Sequence, residues 1–398
     1  MERKLFRKSM SKNVPVMFAI FFLYFMISDS IDIVIPLYFK KLDINMGLYG
    51  GLLSFTKIMR ALVIIPISLW SIKKKMNCLK IWLLVDMAVM LIFLNRLPTF
   101  IVLAGLSMII ITTSVLNVIL NPLLGKEAGK EHVGKVFGIR DVFLYAGCFL
   151  GLFIVGIIKG ISDSTNAIWI FYFCIFAVIY VTVSYIDKKV RKKAEDRDEE
   201  ETPEKQEKGK HTGVSKELVY YLAVTFILGI GAECAEYVPL VAKDIGIQEN
   251  SIFFLFSTST VITSALAIVG GMIVDKYNKK RMFQLDIVIF IIIACMYCSS
   301  NVYIFTFAVI FGGLASILNN AANSYVFVNF TDEEVDKFWG MIGSVSLVSS
   351  SIGALLGGVA YEIGNKLPFI LGIAIHVLGL LLSVRMKNTE AGANHNAA

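Results

Sequence analysis

Apolar runs of about twenty residues recur along nearly the whole of this 398-residue chain, and they limit its folds more than any other feature. A run of that length crosses the ~30 Å hydrocarbon layer as a helix. Inside lipid every backbone N–H and C=O must be satisfied within the protein, which leaves helices or closed barrels. The runs are too long for membrane strands of about ten residues, so the expected fold is all-α and integral to the membrane. Twelve spans are expected, at 14–39, 47–72, 77–96, 98–123, 134–159, 166–186, 217–242, 249–273, 282–300, 302–328, 337–361 and 367–385. Only 17% of residues are charged, against about 25% in soluble domains. The basic start (Arg3, Lys4, Arg7, Lys8, Lys12) is like the n-region of a signal peptide. The apolar stretch after it is too long for one and lacks a small-residue cleavage site, so the first helix is expected to be retained.

Orientation follows from the cations. The N-terminus, Lys73-Lys74-Lys75, the loop with Lys126, Lys130 and Lys135, and the loop 276–281 fall on one side of a twelve-span arrangement. Lys and Arg mark cytoplasmic loops, so both termini are expected inside, in a plasma (inner) membrane protein. The net charge of +7 is accounted for by these anchors and gives no support to nucleic-acid binding. Residues 187–216 pass from a basic block (Lys188, Lys189, Arg191, Lys192, Lys193) to an acidic one that ends near Glu204, with almost no aromatic or β-branched residues. Such a segment cannot bury enough surface to fold alone. The expected organisation is therefore a six-helix bundle over 1–186, a charged cytoplasmic linker over 187–216, a second bundle over 217–388 and a disordered tail over 389–398.

The two halves repeat. Asn117 and Asn121 recur as Asn319 and Asn323, each 202 residues later, and Glu131, Val133, Lys135 and Gly138 meet Glu333, Val335, Lys337 and Gly340 at the same offset. Gly151 and Gly156 likewise meet Gly353 and Gly358. A parallel duplication of a six-span unit is one of the symmetries of transporter folds.

The repeat includes charge. Asp29-x-x-Asp32-x-x-x-Pro36 lies in the first span and Glu233-x-x-Glu236-x-x-Pro239 in the seventh. Carboxylates three apart share a helix face, and an ionisable residue within a span marks a functional site by default. At 1.5 Å per residue all four acids come near the midplane, with Lys57 and Arg60 of span 2 at similar depth. Such a cluster could carry protons or bind a cation, or Asp29 or Asp32 could pair with Lys57 or Arg60 to hold spans 1 and 2 together. Arg140, two turns inside span 5, is a candidate anion ligand or a snorkelling cation paired with a loop acid. Asn117, Asn319 and Asn323 could bind substrate or bridge helices. Cys295-x-x-Cys298 lacks a second ligand pair, the histidines do not cluster, and neither a metal site nor a cofactor is expected. The chain shows no nucleotide-binding loop or nucleophile triad, so an enzyme is not expected.

The loop after span 8 reads Gly271-x-x-x-Asp275 followed by Lys276, Lys279, Lys280 and Arg281. With twelve spans, internal termini and a charged central loop, this chain resembles the major facilitator superfamily over its whole length. The resemblance implies two pseudo-symmetric six-helix bundles whose central cavity is lined in part by spans 4 and 10. It also implies a conformational latch at Gly271, Asp275, Lys279 and Lys280. The copy of that loop at 65–76 has lost the Gly and the Asp, and residues 103–119 lack the basic residue often used by the family's drug exporters. Gly147-x-x-x-Gly151 in span 5 stands where exporters typically show Gly-x-x-x-Gly-Pro. The function expected is a monomeric secondary transporter that moves a small organic solute, with protons and membrane lipids as its other partners. Proton-coupled efflux is the first reading. Proton-coupled nutrient uptake and lipid or glycolipid flipping are the alternatives.

Overall fold

The computed structural model describes residues 13–95, 99–128, 133–162, 164–195, 215–315, 318 and 321–387. Regular structure among these residues is helical throughout. The first half comprises α1 (Val14–Lys41), α2 (Met46–Leu69), α3 (Ile72–Ile92), α4 (Thr99–Ala128), α5 (Val133–Ile161) and α6 (Asn166–Glu195). The second comprises α7 (Lys216–Ala232), α8 (Val238–Asp244), α9 (Glu249–Lys276), α10 (Lys279–Tyr297), α11 (Val302–Ala315), α12 (Ala321–Asn329), α13 (Asp332–Ile363) and α14 (Leu367–Ser383). Span 7 is divided between two helices and span 10 is described as α11 and α12 on either side of residues 316–320, so helix is found in each of the twelve expected spans. Six described helices are individually long and apolar enough to cross a membrane, while 302–313 and 367–383 are shorter apolar pieces. The helix of span 6 continues through the basic block to Glu195, because Lys and Arg are good helix formers; there Lys80 of α3 meets Asp187 at 2.6 Å. The rest of the expected linker, 196–214, and the tail lie outside the described residues.

Local chemistry sets the ends. Ser215 accepts from the Leu218 N–H at the start of α7 (3.2 Å), Asn278 accepts from Arg281 N–H at the start of α10 (3.1 Å), and Thr331 with Glu334 forms a reciprocal capping box on α13. The first span of each half ends in the same turn. Ile44 N–H donates to Phe39 O at 3.1 Å and Asp43 N–H to Lys40 O at 3.2 Å. In the second half Ile247 N–H donates to Ala242 O at 3.0 Å and Gly246 N–H to Lys243 O at 3.1 Å. This paired bonding closes a helix around one left-handed residue. Asp43 has φ 55° and Gly246 φ 93°, so one half uses a residue that tolerates the conformation and the other one that adopts it freely.

Glycines carry the duplication into the packing. A Cβ on Gly151 of α5 would run into Met26 O of α1, and a Cβ on Gly353 of α13 would run into Ile230 O of α7. Each carbonyl belongs to the residue three before the first acid of its span, Asp29 or Glu233. The repeated glycines thus let spans 5 and 11 approach the backbone of spans 1 and 7 beside the acids.

The halves differ at one place that bears on function. Helix α1 runs unbroken through Pro36, but span 7 becomes a 3₁₀ turn over Glu233–Tyr237 between α7 and α8. Pro239 at the start of α8 cannot donate to a residue four back. Gly229 and Gly231 precede the turn, each about 1 kcal/mol poorer than Ala in a helix. The depth of Glu236 therefore does not follow from uniform helical rise.

Residue contacts divide the chain into two compact units. One takes Met1–Ile31 and Met59–Thr212, the other Asp32–Ile58 and Gly213–Ala398. The last third of α1 and the first half of α2 thus pack with the second six-helix half. In the first unit, Trp169, Tyr172 and Phe176 of α6 are fully buried and Tyr172 donates to Ser30 Oγ (2.8 Å). In the second, Tyr221 lies against Tyr325, Phe283 and Phe338 in a core closed by Val326 and Met386.

Candidate functional site: an ion pair at the broken span

Glu233 opens the 3₁₀ turn of span 7, and its carboxylate takes the Lys57 ammonium of α2 as its partner. Both side chains are largely enclosed, with 12% of Lys57 and 16% of Glu233 exposed. The partner of Lys57 is therefore an acid of the second half, whereas a hold between spans 1 and 2 would have used Asp29 or Asp32. The reason is geometric: residues up to Ile58 pack with the second half, and a long lysine stem reaches the end of α7 from α2.

A tyrosine cluster lies alongside. Tyr49 is 2% exposed, and the carboxylates of Glu236, Asp32 and Glu233 all act electrostatically on its ring. Three of the four expected acids thus lie within electrostatic range of one phenol. Tyr237 stands edge-on to Tyr49, with ring centroids 6.1 Å apart, and donates to Ala354 O at 2.8 Å. Small residues make this approach possible. A Cβ on Gly50 would sit 2.8 Å from Gly358 Cα, and one on Gly357 would meet the Tyr237 ring. Ser54 and Ser351 hydroxyls lie 2.7 Å apart, and Ser351 Oγ donates to Ser54 O at 3.0 Å.

The seam continues to the helix ends away from the chain termini. There Lys40 pairs with Asp244, which also accepts from the Tyr361 hydroxyl and from Asn365 Nδ2 (3.2 Å). Lys40 Nζ donates in turn to Tyr361 Oη at 3.2 Å, and Glu362 accepts from Met46 N–H. Sequence reasoning missed this lock. Its signal was present, since Lys40 and Asp244 both end first spans of their halves, but charges at helix ends pass for ordinary solvated caps.

The other candidates are dispersed. Asp29 meets the Cys148 thiol of α5 within the first unit. Asp32 is exposed. Arg60 Nε donates to Ser114 Oγ of α4, beside the bond from Tyr24 Oη to Thr113 Oγ1. Arg140 donates through Nη1 to Asn121 Oδ1 (2.8 Å) and through Nε and Nη2 to Asp141 Oδ1 (2.9 and 2.6 Å). Its guanidinium lies 4.6 Å from the Phe137 ring centroid and 5.8 Å from that of Phe21, within cation–π range. Asn117 is half-buried on α4. Asn319 lies outside the described residues, and Asn323 lies on α12 with its side chain outside them.

Of the expected latch, Gly271 and Asp275 fall in the last turns of α9, where side chains lie outside the described residues. Lys279 and Lys280 are buried in the first turn of α10. Lys280 Nζ donates to Val384 O (2.8 Å) and Met386 O (2.6 Å), closing the end of the last span. Among the described residues no group of three or more His, Cys, Asp or Glu is placed to hold a metal ion.

An enclosed ion pair can do one thing an ordinary helix contact cannot. Either a proton on the carboxylate or a competing cation can release the lysine, and in both cases the site gains one positive charge, carried by the freed ammonium.

Comparison with known proteins agrees with this architecture. Quinolone resistance protein NorA of Staphylococcus aureus (strain MRSA252) is 20% identical over 183 residues, 44% of this chain and 47% of that protein. Multidrug resistance protein 2 of Bacillus subtilis (strain 168) is 30% identical over 131 residues, 32% of each chain. The alignments span less than half the length of these relatives. Two solved structures share the fold: the bacterial homologue of the human lysosomal transporter Spinster in an inward-facing and occupied conformation (TM-score 0.70, 11% identity, 95% of this chain and 98% of that one), and the nucleoside transporter NupG (TM-score 0.67, 13% identity, 94% and 98%). The sequence profile of the Major Facilitator Superfamily matches residues 17–233 and again 221–397, and with twelve spans in two repeated six-helix halves this chain belongs to that superfamily.

Proposed function

We propose that this transporter exports a small organic solute from the cell in exchange for protons, with Glu233 as the group that exchanges Lys57 for a proton or a cationic substrate. One observation carries the reading: an enclosed Lys57–Glu233 pair sits at the break of span 7, with Glu236 and Asp32 nearby. An acid-rich site suits cationic and amphipathic compounds. When a proton or a cation takes the carboxylate, Lys57 is freed and the seam from Ser54–Ser351 to Lys40–Asp244 loses its inner anchor. The face that this seam closes can then open, and alternation follows from a change in state populations. The resistance relatives support export. The cations of the loops support a plasma-membrane location with both termini cytoplasmic, and the repeat supports two functional domains, 1–186 and 217–388, working as a monomer.

The test is transport by the purified protein in proteoliposomes with ethidium and a fluoroquinolone as probes. Glu233→Gln is expected to abolish movement driven by a pH gradient while exchange at equal pH continues, because exchange needs only the solute to shuttle. Full gradient-driven transport by this variant would remove Glu233 from the coupling role. Arg140, held by Asn121 and two aromatic rings, supports a second reading, uptake of a solute with an anionic group. That reading requires Arg140→Gln to raise KM for an anionic substrate in the same vesicles.

A further inference from the structure

The short segment after the last span is held in place more firmly than a helix end requires. Tyr220 Oη donates to Leu382 O (2.7 Å), Lys280 Nζ to Val384 O and Met386 O (2.8 and 2.6 Å), and Tyr325 Oη to Lys387 O (3.0 Å). The Met386 side chain is buried at 5% exposure in the core of the second unit, beside Tyr221 and Tyr325. Four carbonyls and one side chain are thus anchored within six residues. The two cations that flank Met386, Arg385 and Lys387, stay exposed. Both line a cavity of about 270 Å³ together with Lys216 from the first turn of α7. Its floor is Tyr220, Tyr221 and Tyr325, whose hydroxyls are engaged with backbone carbonyls. One acid, Glu217, also lines it, so the cleft carries three cations against one carboxylate.

From this arrangement we infer a binding site for a phosphate-bearing anion at the ends of spans 7, 10 and 12, filled in the membrane by the headgroup of an anionic phospholipid. The pinned backbone carbonyls fix where Arg385 and Lys387 leave the chain, which lowers the cost of ordering them around an anion. The first-turn N–H groups of α7 add positive potential from the same side. The volume falls just below the range of about 300–1,000 Å³ for small-molecule pockets and suits a headgroup better than a drug-sized solute. The segments that form it are the outermost turns of membrane spans, on the side of the basic loops, where an anionic leaflet presents phosphate. The site is separate from the Lys57–Glu233 pair and stands whether or not that pair couples transport.

The experiment titrates the purified full-length protein with dihexanoyl phosphatidylglycerol, dihexanoyl phosphatidylcholine or sodium phosphate and follows thermal stability. Phosphatidylglycerol is expected to bind saturably and phosphatidylcholine not at all. Each cation removed (Lys216→Gln, Arg385→Gln or Lys387→Gln) is expected to weaken binding about five-fold, and the Arg385→Gln/Lys387→Gln pair about twenty-five-fold. Glu217→Gln is expected to tighten binding several-fold, the opposite sign from any loss of fold. Lys73→Gln/Lys74→Gln, in a basic loop of the first half, serves as the control and is expected to leave affinity unchanged. An equal response to sodium phosphate would keep the anion site and assign it to the free ion. Wild-type affinity in the Arg385→Gln/Lys387→Gln variant, or the same loss in the control, would overturn the proposal. Lys216→Gln repeats the test without touching the pinned segment, should that double variant fail to fold.

Discussion

Lys57→Met is the substitution from which the most can be learned. It keeps the volume and apolar stem of the side chain and deletes its charge, which leaves the Glu233 carboxylate enclosed without its cation. Removing one member of a buried pair typically costs about 3–5 kcal/mol. With 12% and 16% of the side chains still exposed, the low end applies, about 3 kcal/mol. Glu233→Gln strands the ammonium and is expected to cost about the same. The Lys57→Met/Glu233→Gln double variant strands neither charge, so its loss should fall to that of one single variant or below, with a coupling of about 3 kcal/mol in the double-mutant cycle. At about 2–4 °C per kcal/mol for units of this size, each single variant should lower the unfolding midpoint by about 6–12 °C, and the double variant by no more than either. The assay is thermal unfolding of the purified protein followed with a thiol-reactive fluorophore in a background where the other five cysteines are replaced by Ser, so that the signal reports exposure of Cys148 (1% exposed when folded). Strictly additive shifts would refute the reasoning, because they would mean that the two charges stabilise the protein independently.

Gly151→Leu and Gly353→Leu should each cost more than about 3 kcal/mol, since the first side-chain carbon already meets a backbone carbonyl and even modest overpacking costs about 1–3 kcal/mol. Gly138→Ala, with nothing within 4 Å of the added carbon, should stabilise by about 0.5–1 kcal/mol in the same unfolding assay. Asp244→Asn weakens a partly exposed lock worth about 0.2–1 kcal/mol. It should raise labelling of a cysteine placed at Ser54 by an impermeant thiol reagent up to about five-fold, and unchanged labelling would exclude a gating role for Lys40–Asp244. Lys280→Met removes the donor to two carbonyls and should cost about 1–3 kcal/mol, read out as faster hydrogen exchange confined to the end of α14.

The sequence by itself determined the elements and their repetition. A twenty-residue apolar run has few alternatives to a membrane helix, and a 202-residue offset in glycines, asparagines and acids has few alternatives to duplication. The intramembrane charges were legible as candidates as well, because an ionisable side chain in a span is costly enough to need a reason. What only the tertiary structure decided was partnership. Asp29 and Glu233 occupy matching positions, yet one meets Cys148 and the other Lys57. Pairing is set by which backbones approach closely, and that depends on small residues such as Gly50, Gly357 and Gly358 at the approach and on the 3₁₀ break before Pro239. Lys57 shows the limit plainly. Its sequence neighbours place it on span 2, level with the acids of span 1. Its partner is 176 residues away in sequence, because the electrostatic energy of an enclosed charge is settled by distances of a few ångströms that chain order does not encode.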